Sequence, residues 1–218
     1  MEKDYKIRLD WCRERKNWSF DKWSNVIWSD ESNFELFNRK NAPLVRRFKE
    51  DKLNPNYITG RVQKGGGSVG IWGCFSANGT GCCYIYRNRL DAEGYLNILE
   101  DSLIPSIDLL IDDKDFFMFQ QDNAPCHKAK KVLKWFEERQ ISLLEWPARS
   151  PDLNPIENIW NLIDLDLEKM QITSLAELEL ALVKLWNNFS KSVCVNLVES
   201  VPTRIDKCIV LKGGCTGY

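Results

Sequence analysis

Three acidic residues stand where apolar segments stop. Asp30 follows Val26-Ile27-Trp28 in VIWSDES, Asp122 follows the apolar run of FFMFQQDNAPCH, and Glu157 falls in the first turn of the helix opened by SPDLNPIENIW. A carboxylate at the end of a buried strand is placed to hold a metal ion. Three converging acids without a local lysine repel one another unless a cation sits between them. Hard oxygen ligands with open water positions suit Mg2+ or Mn2+. Two such ions, roughly 3.5–4 Å apart, clamp the attacking and leaving oxygens of a phosphodiester in line. Each residue also has a purely structural reading. Asp30 suits a strand-end turn, and Asp122 suits an Asx-turn with Asn123 and Pro125. Asn154, Pro155 and Glu157 suit the N-cap, N1 and N3 positions of a helix. His127, the chain's only histidine, suits a hydrogen-bonding loop residue.

The chemistry therefore depends on elements that bring the three acids together. Residues 1–22 read as an amphipathic helix anchored by Ile7, Trp11 and Trp18. A strand through Val26-Ile27-Trp28 ends near Asp30, with a second short alternating piece after it. SVGIWGCFS and CCYIYR are β-prone runs joined by ANGTG, which carries the Asn-Gly hairpin signal. Apolar residues at 95, 98, 99 and 103 form a helical stripe. The strand of residues 116–121 follows, then a basic helix over 128–140 and a short strand over 141–146. Further helices carry stripes at 156, 159, 160, 163 and 167, and at 175, 178, 182, 185 and 189, the latter opened by the capping pair Ser174 and Glu177. Residues 191–210 read as a last helix. The order β-β-β-α-β-α-β-α specifies an α/β protein with a mixed five-stranded sheet flanked by helices, plus additional C-terminal helices. That layout is ribonuclease H-like.

Composition narrows the class. The chain has 218 residues, 44% hydrophobic and 28% charged, ordinary for a globular protein with one well-formed core. No apolar run approaches the roughly 18 residues of a membrane span. The charged start lacks the apolar core of a signal peptide, so export is not expected. The eight cysteines form no CxxC pair or zinc-ligand spacing and are expected to be reduced thiols. The net charge of −1 conceals segregation. From Arg39 to Lys64 there are eight Lys/Arg against two acids, and from Asp91 to Asp115 eight acids against one lysine. The basic segment is either a solvated face or a loop that contacts phosphates through Arg39, Lys40, Arg46, Arg47, Lys49, Arg61 and Lys64.

Five stretches, VIWSDESNFELF, GGGSVGIWGCFSANGTG, FQQDNAPCH, EWPARSPDLNPIENIW and LVESVPTRIDKCIVLKGGCTGY, occur in one order. In that order they resemble the catalytic domain of Tc/mariner-superfamily cut-and-paste transposases over nearly the whole chain. Between Asp122 and Glu157 lie 157 − 122 − 1 = 34 residues, as in the Tc-like branch, and Glu157 rather than an aspartate points to that branch. The resemblance implies that Asp30, Asp122 and Glu157 are the catalytic, metal-binding triad for two Mg2+ or Mn2+ ions, with Asn123 and His127 in supporting roles. It implies metal-dependent cleavage of transposon ends, strand transfer into target DNA, homodimers of the full-length protein and a nuclear location, with no membrane association. It also implies a helical lead-in over 1–24, a catalytic domain over 25–170 with a long basic loop at 38–64, and C-terminal helices over 171–218 packed on it.

The sequence departs from the family pattern in two places. Met1 stands almost at the catalytic domain, where helix-turn-helix modules are expected to precede it, so specific end binding is expected to be missing. Asp164, Asp166 and Glu168 replace the basic residues expected after Glu157, and would repel phosphates if they faced DNA. Two other readings stay open: a decayed or domesticated remnant that acts as a binding or dimerisation module, and a general ribonuclease H-like nuclease.

Overall fold

The computed structural model describes residues 2–36, 67–112 and 116–218. The seven basic candidates between Arg39 and Lys64 lie outside the described residues. Two helices, α1 (Glu2–Arg15) and α2 (Phe20–Ser24), lead into β1 (Val26–Glu35). The hairpin β2 (Ser68–Ser76) and β3 (Gly79–Tyr86) follows, then α3 (Ala92–Ile98), a π-helical turn over Leu99–Leu103 and α4 (Ile104–Leu110). Next come β4 (Met118–Gln120), α5 (Lys130–Glu138) and β5 (Ser142–Leu143). A 3-10 turn (Pro151–Leu153) then leads to α6 (Ile156–Leu167), α7 (Leu175–Asn187) and α8 (Lys191–Val210).

The sheet order is β3-β2-β1-β4-β5, with β1 at the centre. β1 pairs antiparallel with β2 and parallel with β4, and β4 pairs parallel with β5. Alternation along β1 divides the core. Val26, Trp28 and Phe34 face a cluster built with α1, α2, α6, α7 and α8. Ile27 faces a second cluster with α3, α4 and α5. Helices thus cover both faces, and the first four residues of β1 are fully buried while its next three are half-buried. The sheet is closed around the front half of β1 and open at its middle.

Several local expectations change. The first helix stops at Arg15 and a separate helix starts after the Ser19 cap, whose hydroxyl accepts from the Lys22 amide. Trp11 is buried, but Ile7 is 44% exposed, because Arg8 takes the inward position. β1 is a single ten-residue strand, since β2 continues to pair with it as far as Glu35. Asp30 therefore lies inside β1 rather than at its end. The stretch 141–146 keeps only two paired residues, Ser142 and Leu143. All eight cysteines are free thiols.

Arg8 ties the two ends of the chain to the middle. Its Nη1 and Nη2 donate to Asp152 Oδ1 and Oδ2, each at 2.8 Å. The remaining donors reach the carbonyls of Gly213 (2.8 Å), Gly214 (3.1 Å) and Arg149 (3.2 Å). Asp152 also accepts from the Thr216 amide at 2.7 Å, and Arg204 of α8 donates to the Asp152 carbonyl. The glycine at 213 is obligatory: its φ is +89°, and a Cβ would lie 1.9 Å from the Tyr5 carbonyl of α1.

A bidentate, buried ion pair of this kind costs much when one partner is lost, because the other charge stays buried and unpaired. Arg8→Met should destabilise the protein by about 3–5 kcal/mol in equilibrium urea unfolding. Burial alone would raise the Asp152 carboxyl, but Arg8 and the Thr216 amide override it and hold the group below the usual carboxylate range. A depressed acid contributes stability that is complete above its unfolded pKa, about 3.9, and is lost as pH falls through the folded value. Asp152→Asn should therefore lose most stability near neutral pH, with the gap to the parent protein starting to narrow only below about pH 4 and closing once the pH passes below the folded value.

Candidate active site

The parallel pairing of β1 with β4 sets the first two acids side by side. Its last register pair is Trp28 with Gln120, and two residues beyond on each chain stand Asp30 and Asp122. Parity places Asp30 on the same face as Val26 and Trp28, the α6 side of the sheet. Directly across on β2 is Gly73, and Trp186 of α7 fills the space a side chain there would take. No side chain at that position crowds Asp30.

Glu157 arrives by a different route. The turn before α6 docks through Asn154, whose Nδ2 donates to the Ser29 carbonyl (3.1 Å) and to Gln120 Oε1 (3.3 Å). Ser29 closes the junction by donating its hydroxyl to the Gln120 carbonyl at 2.7 Å. The start of α6 is thus fastened to β1 and β4 one residue short of Asp30. Asn154 does cap the helix, its Oδ1 accepting from the Ile156 amide, but Glu157 does not complete the box, since the Asn154 amide donates to the Pro151 carbonyl and the Glu157 side chain lines the cleft with Asp30.

Asp30, Asp122 and Glu157 line one cleft of about 450 Å³, with Asn123, Asn154 and the 146–151 turn around it. Burial pushes the Asp30 carboxyl well above the usual range, and the charges of Glu31, Glu157 and Asp122 push it further, while the Glu31 amide at 2.8 Å opposes them. Burial also raises Glu157, partly offset by its bond to Asp30. Asp122 realises the Asx-turn, its Oδ1 accepting from the Ala124 amide at 2.8 Å, and it faces the cleft as well.

Of the flanking residues, Asn123 lines the cleft, while His127 reaches Glu31 on the other face of the sheet. His127 Nδ1 lies 2.7 Å from Asp122 Oδ1, an ionic contact off the N–H direction, and Nε2 lies 3.2 Å from Glu31 Oε1. Burial alone would lower the His127 pKa, but these carboxylates push it up to about 10, so the ring is an imidazolium at neutral pH. It lies against the ring of Tyr95, whose hydroxyl donates to Gln121. Asn123 Nδ2 donates to the Trp146 carbonyl at 2.9 Å. Sequence reasoning missed Glu31, Gln120 and Asp152, and it read Asn154 only as a helix cap, not as the residue that docks α6 on β1 and β4; the only advance signal was their presence within the motif stretches. Asp164, Asp166 and Glu168 do not line the cleft, and Asp166 pairs with Lys169.

Among the described residues, no three His, Cys, Asp or Glu side chains meet at metal-ligand spacing. The three acids surround the cleft without closing on one point. Their donor set, oxygen atoms with excess negative charge, still fits a hard divalent cation. A raised acid binds protons more tightly folded than unfolded, so stability falls as pH rises from the unfolded to the folded pKa. Asp30→Asn removes that penalty and keeps an oxygen for the Glu31 amide. It should raise the Tm of the metal-free protein at neutral pH and leave it nearly unchanged below about pH 4, by differential scanning calorimetry.

Comparison with known proteins agrees with this architecture. The profile of the DDE superfamily endonucleases matches residues 25–179. The chain is 35% identical to the Tcb1 transposase of Caenorhabditis briggsae over 99% of its own length and 78% of the relative's. It is likewise 35% identical to the Tc1 transposase of Caenorhabditis elegans, over 100% and 79%. Its fold superposes on the Mos1 transposase paired-end complex with left transposon end at a TM-score of 0.79 and 20% identity, covering 98% of this chain and 63% of that one. The Mos1 catalytic domain solved with Raltegravir and Mn gives 0.75 and 17%, covering 98% and 96%. With its ribonuclease H-like sheet and helices, the chain belongs to the DDE superfamily endonucleases, as the catalytic domain of a Tc1/mariner-type transposase.

Proposed function

We propose that this chain cleaves transposon-end DNA and joins the freed 3′ hydroxyl to target DNA, with Asp30, Asp122 and Glu157 holding two divalent cations. The observation that carries this reading is the convergence of three carboxylates from β1, the turn after β4 and α6 on one cleft. Bound there, Mg2+ or Mn2+ would supply the activation of water or 3′ hydroxyl and the stabilisation of the leaving oxygen. The protein's own part is positional. β1 and β4 fix the spacing of the aspartates, and Asn154 holds α6 so that Glu157 faces them. His127 and Asn123 take supporting roles: His127 steadies the Asp122 turn, and Asn123 anchors the Trp146 segment that lines the cleft. DNA as substrate makes the nucleus the working compartment, and the protein works there as a homodimer.

A second reading, a fold kept without its chemistry, draws on one observation. Asp122 is already engaged by the His127 imidazolium, so a cation has to compete with an existing positive charge.

Two measurements separate these readings. Mn2+ should raise the Tm of the parent protein and not that of Asp122→Asn, since a ligand at a hundredfold excess over its Kd stabilises by about 2.7 kcal/mol. Nicking of duplex DNA in Mn2+ should fall by at least about 10²-fold in Asp30→Asn, Asp122→Asn and Glu157→Gln, the scale of removing one preorganised electrostatic contact. Retained cleavage in these variants would reject the triad. Absence of both the thermal shift and any nicking in the parent protein would favour the inactive remnant.

A further inference from the structure

The 146–151 turn that lines the cleft carries one cation. Arg149 is the only Lys or Arg among the described residues lining the cleft, against the three acids. Its backbone is in the left-handed region at φ +55°, uncommon for a residue with a long side chain. That conformation is imposed from behind: the Arg149 carbonyl accepts from Arg8 Nη1, and Asp152, three residues on, is clamped by the same guanidinium. An unusual backbone conformation held by a buried network and located at a functional cleft points to a role for the side chain it presents.

The side chain is free to take up a ligand. It is 77% exposed, and its partner in the structure is Asp4 Oδ2 of α1 at 3.3 Å. Exposed pairs of this kind contribute little, about 0–1 kcal/mol. A guanidinium offers two parallel donors that match the oxygens of a phosphodiester. Resting on the DNA-cleaving reading above, we infer that Arg149 is a phosphate-contact residue that exchanges Asp4 for a DNA backbone phosphate at the mouth of the carboxylate cleft. The exchange offsets the repulsion between a polyanion and three acids, and it places the contact on a turn tied down by Arg8. Asp4 then acts as a stand-in anion that keeps the guanidinium over the cleft when DNA is absent.

The test uses the whole chain and a fluorescein-labelled duplex of arbitrary sequence, titrated by anisotropy at several salt concentrations in fixed Mg2+. Arg149→Asn removes the charge, and asparagine tolerates the positive φ, so the variant should fold; Arg149→Lys keeps the charge. Arg149→Asn should weaken binding about threefold to tenfold and lower the slope of log K against log salt by about 0.9, with Arg149→Lys restoring most of that slope. Asp4→Asn should shift binding the other way, towards tighter association. Unchanged affinity and slope in Arg149→Asn, while the parent binds and nicks DNA, would overturn the Arg149 contact and leave the proposed function standing. Weaker binding in Asp4→Asn would overturn the exchange. A parent protein that neither binds nor nicks DNA would remove both.

Discussion

The forked pair between Arg8 and Asp152 holds together elements that the sequence separates by 144 residues. Five donors on one planar guanidinium meet a carboxylate and three backbone carbonyls, so the N-terminal helix, the turn before α6 and the chain's end share one polar centre. Such a charge is tolerated inside a protein only when its partners are complete. The glycine at 213, whose backbone passes against that of α1, and Thr216, whose amide reaches Asp152, complete it. The conspicuous glycine-rich ending is therefore structural: it closes the shell around the turn that carries α6 to the site.

That centre lies on the way to the cleft rather than in it. Asp152 fixes one end of the short turn, and Asn154 fixes the other by bonding to both β1 and β4. Between these two anchors the chain has little freedom, and Glu157 enters the cleft from the first turn of a helix whose buried face, Ile156, Ile159, Trp160 and Ile163, is locked into the larger core cluster. Rigid support is what a site of this kind requires, because small displacements of charged ligands forfeit much of their effect.

The cleft itself runs against stability. Asp30 is pressed among other acids and pushed towards its neutral form, and the fully buried Gln120 beside it leaves its amide nitrogen without a partner among the described residues. On the opposite face of the sheet the excess charge is balanced by the His127 imidazolium between Glu31 and Asp122. The fold supplies the compensation elsewhere, in two apolar clusters that meet at the sheet and in the tryptophans of α1, α2 and β1 packed ring against ring.

Sequence alone determined the order and type of the elements, because period-two and period-3.6 apolar patterns survive in any context: the stripe at 95, 98, 99 and 103 is buried throughout, as are 156, 159, 160 and 163 of α6. It also marked the three acids, through their motifs and through the 34 residues between Asp122 and Glu157. What it misjudged was set by partners distant in the chain. Ile7 yields the inward position to Arg8 because Asp152 and the C-terminal carbonyls lie behind it, and Asp30 lies within its strand because β2 keeps pairing past it. The bonds of Asn154 to Ser29 and Gln120, and of His127 to Glu31, join residues 125, 34 and 96 positions apart. Side-chain type records that a polar group needs a partner; only the tertiary structure decides which one, since that depends on which backbones the core brings to within hydrogen-bond reach.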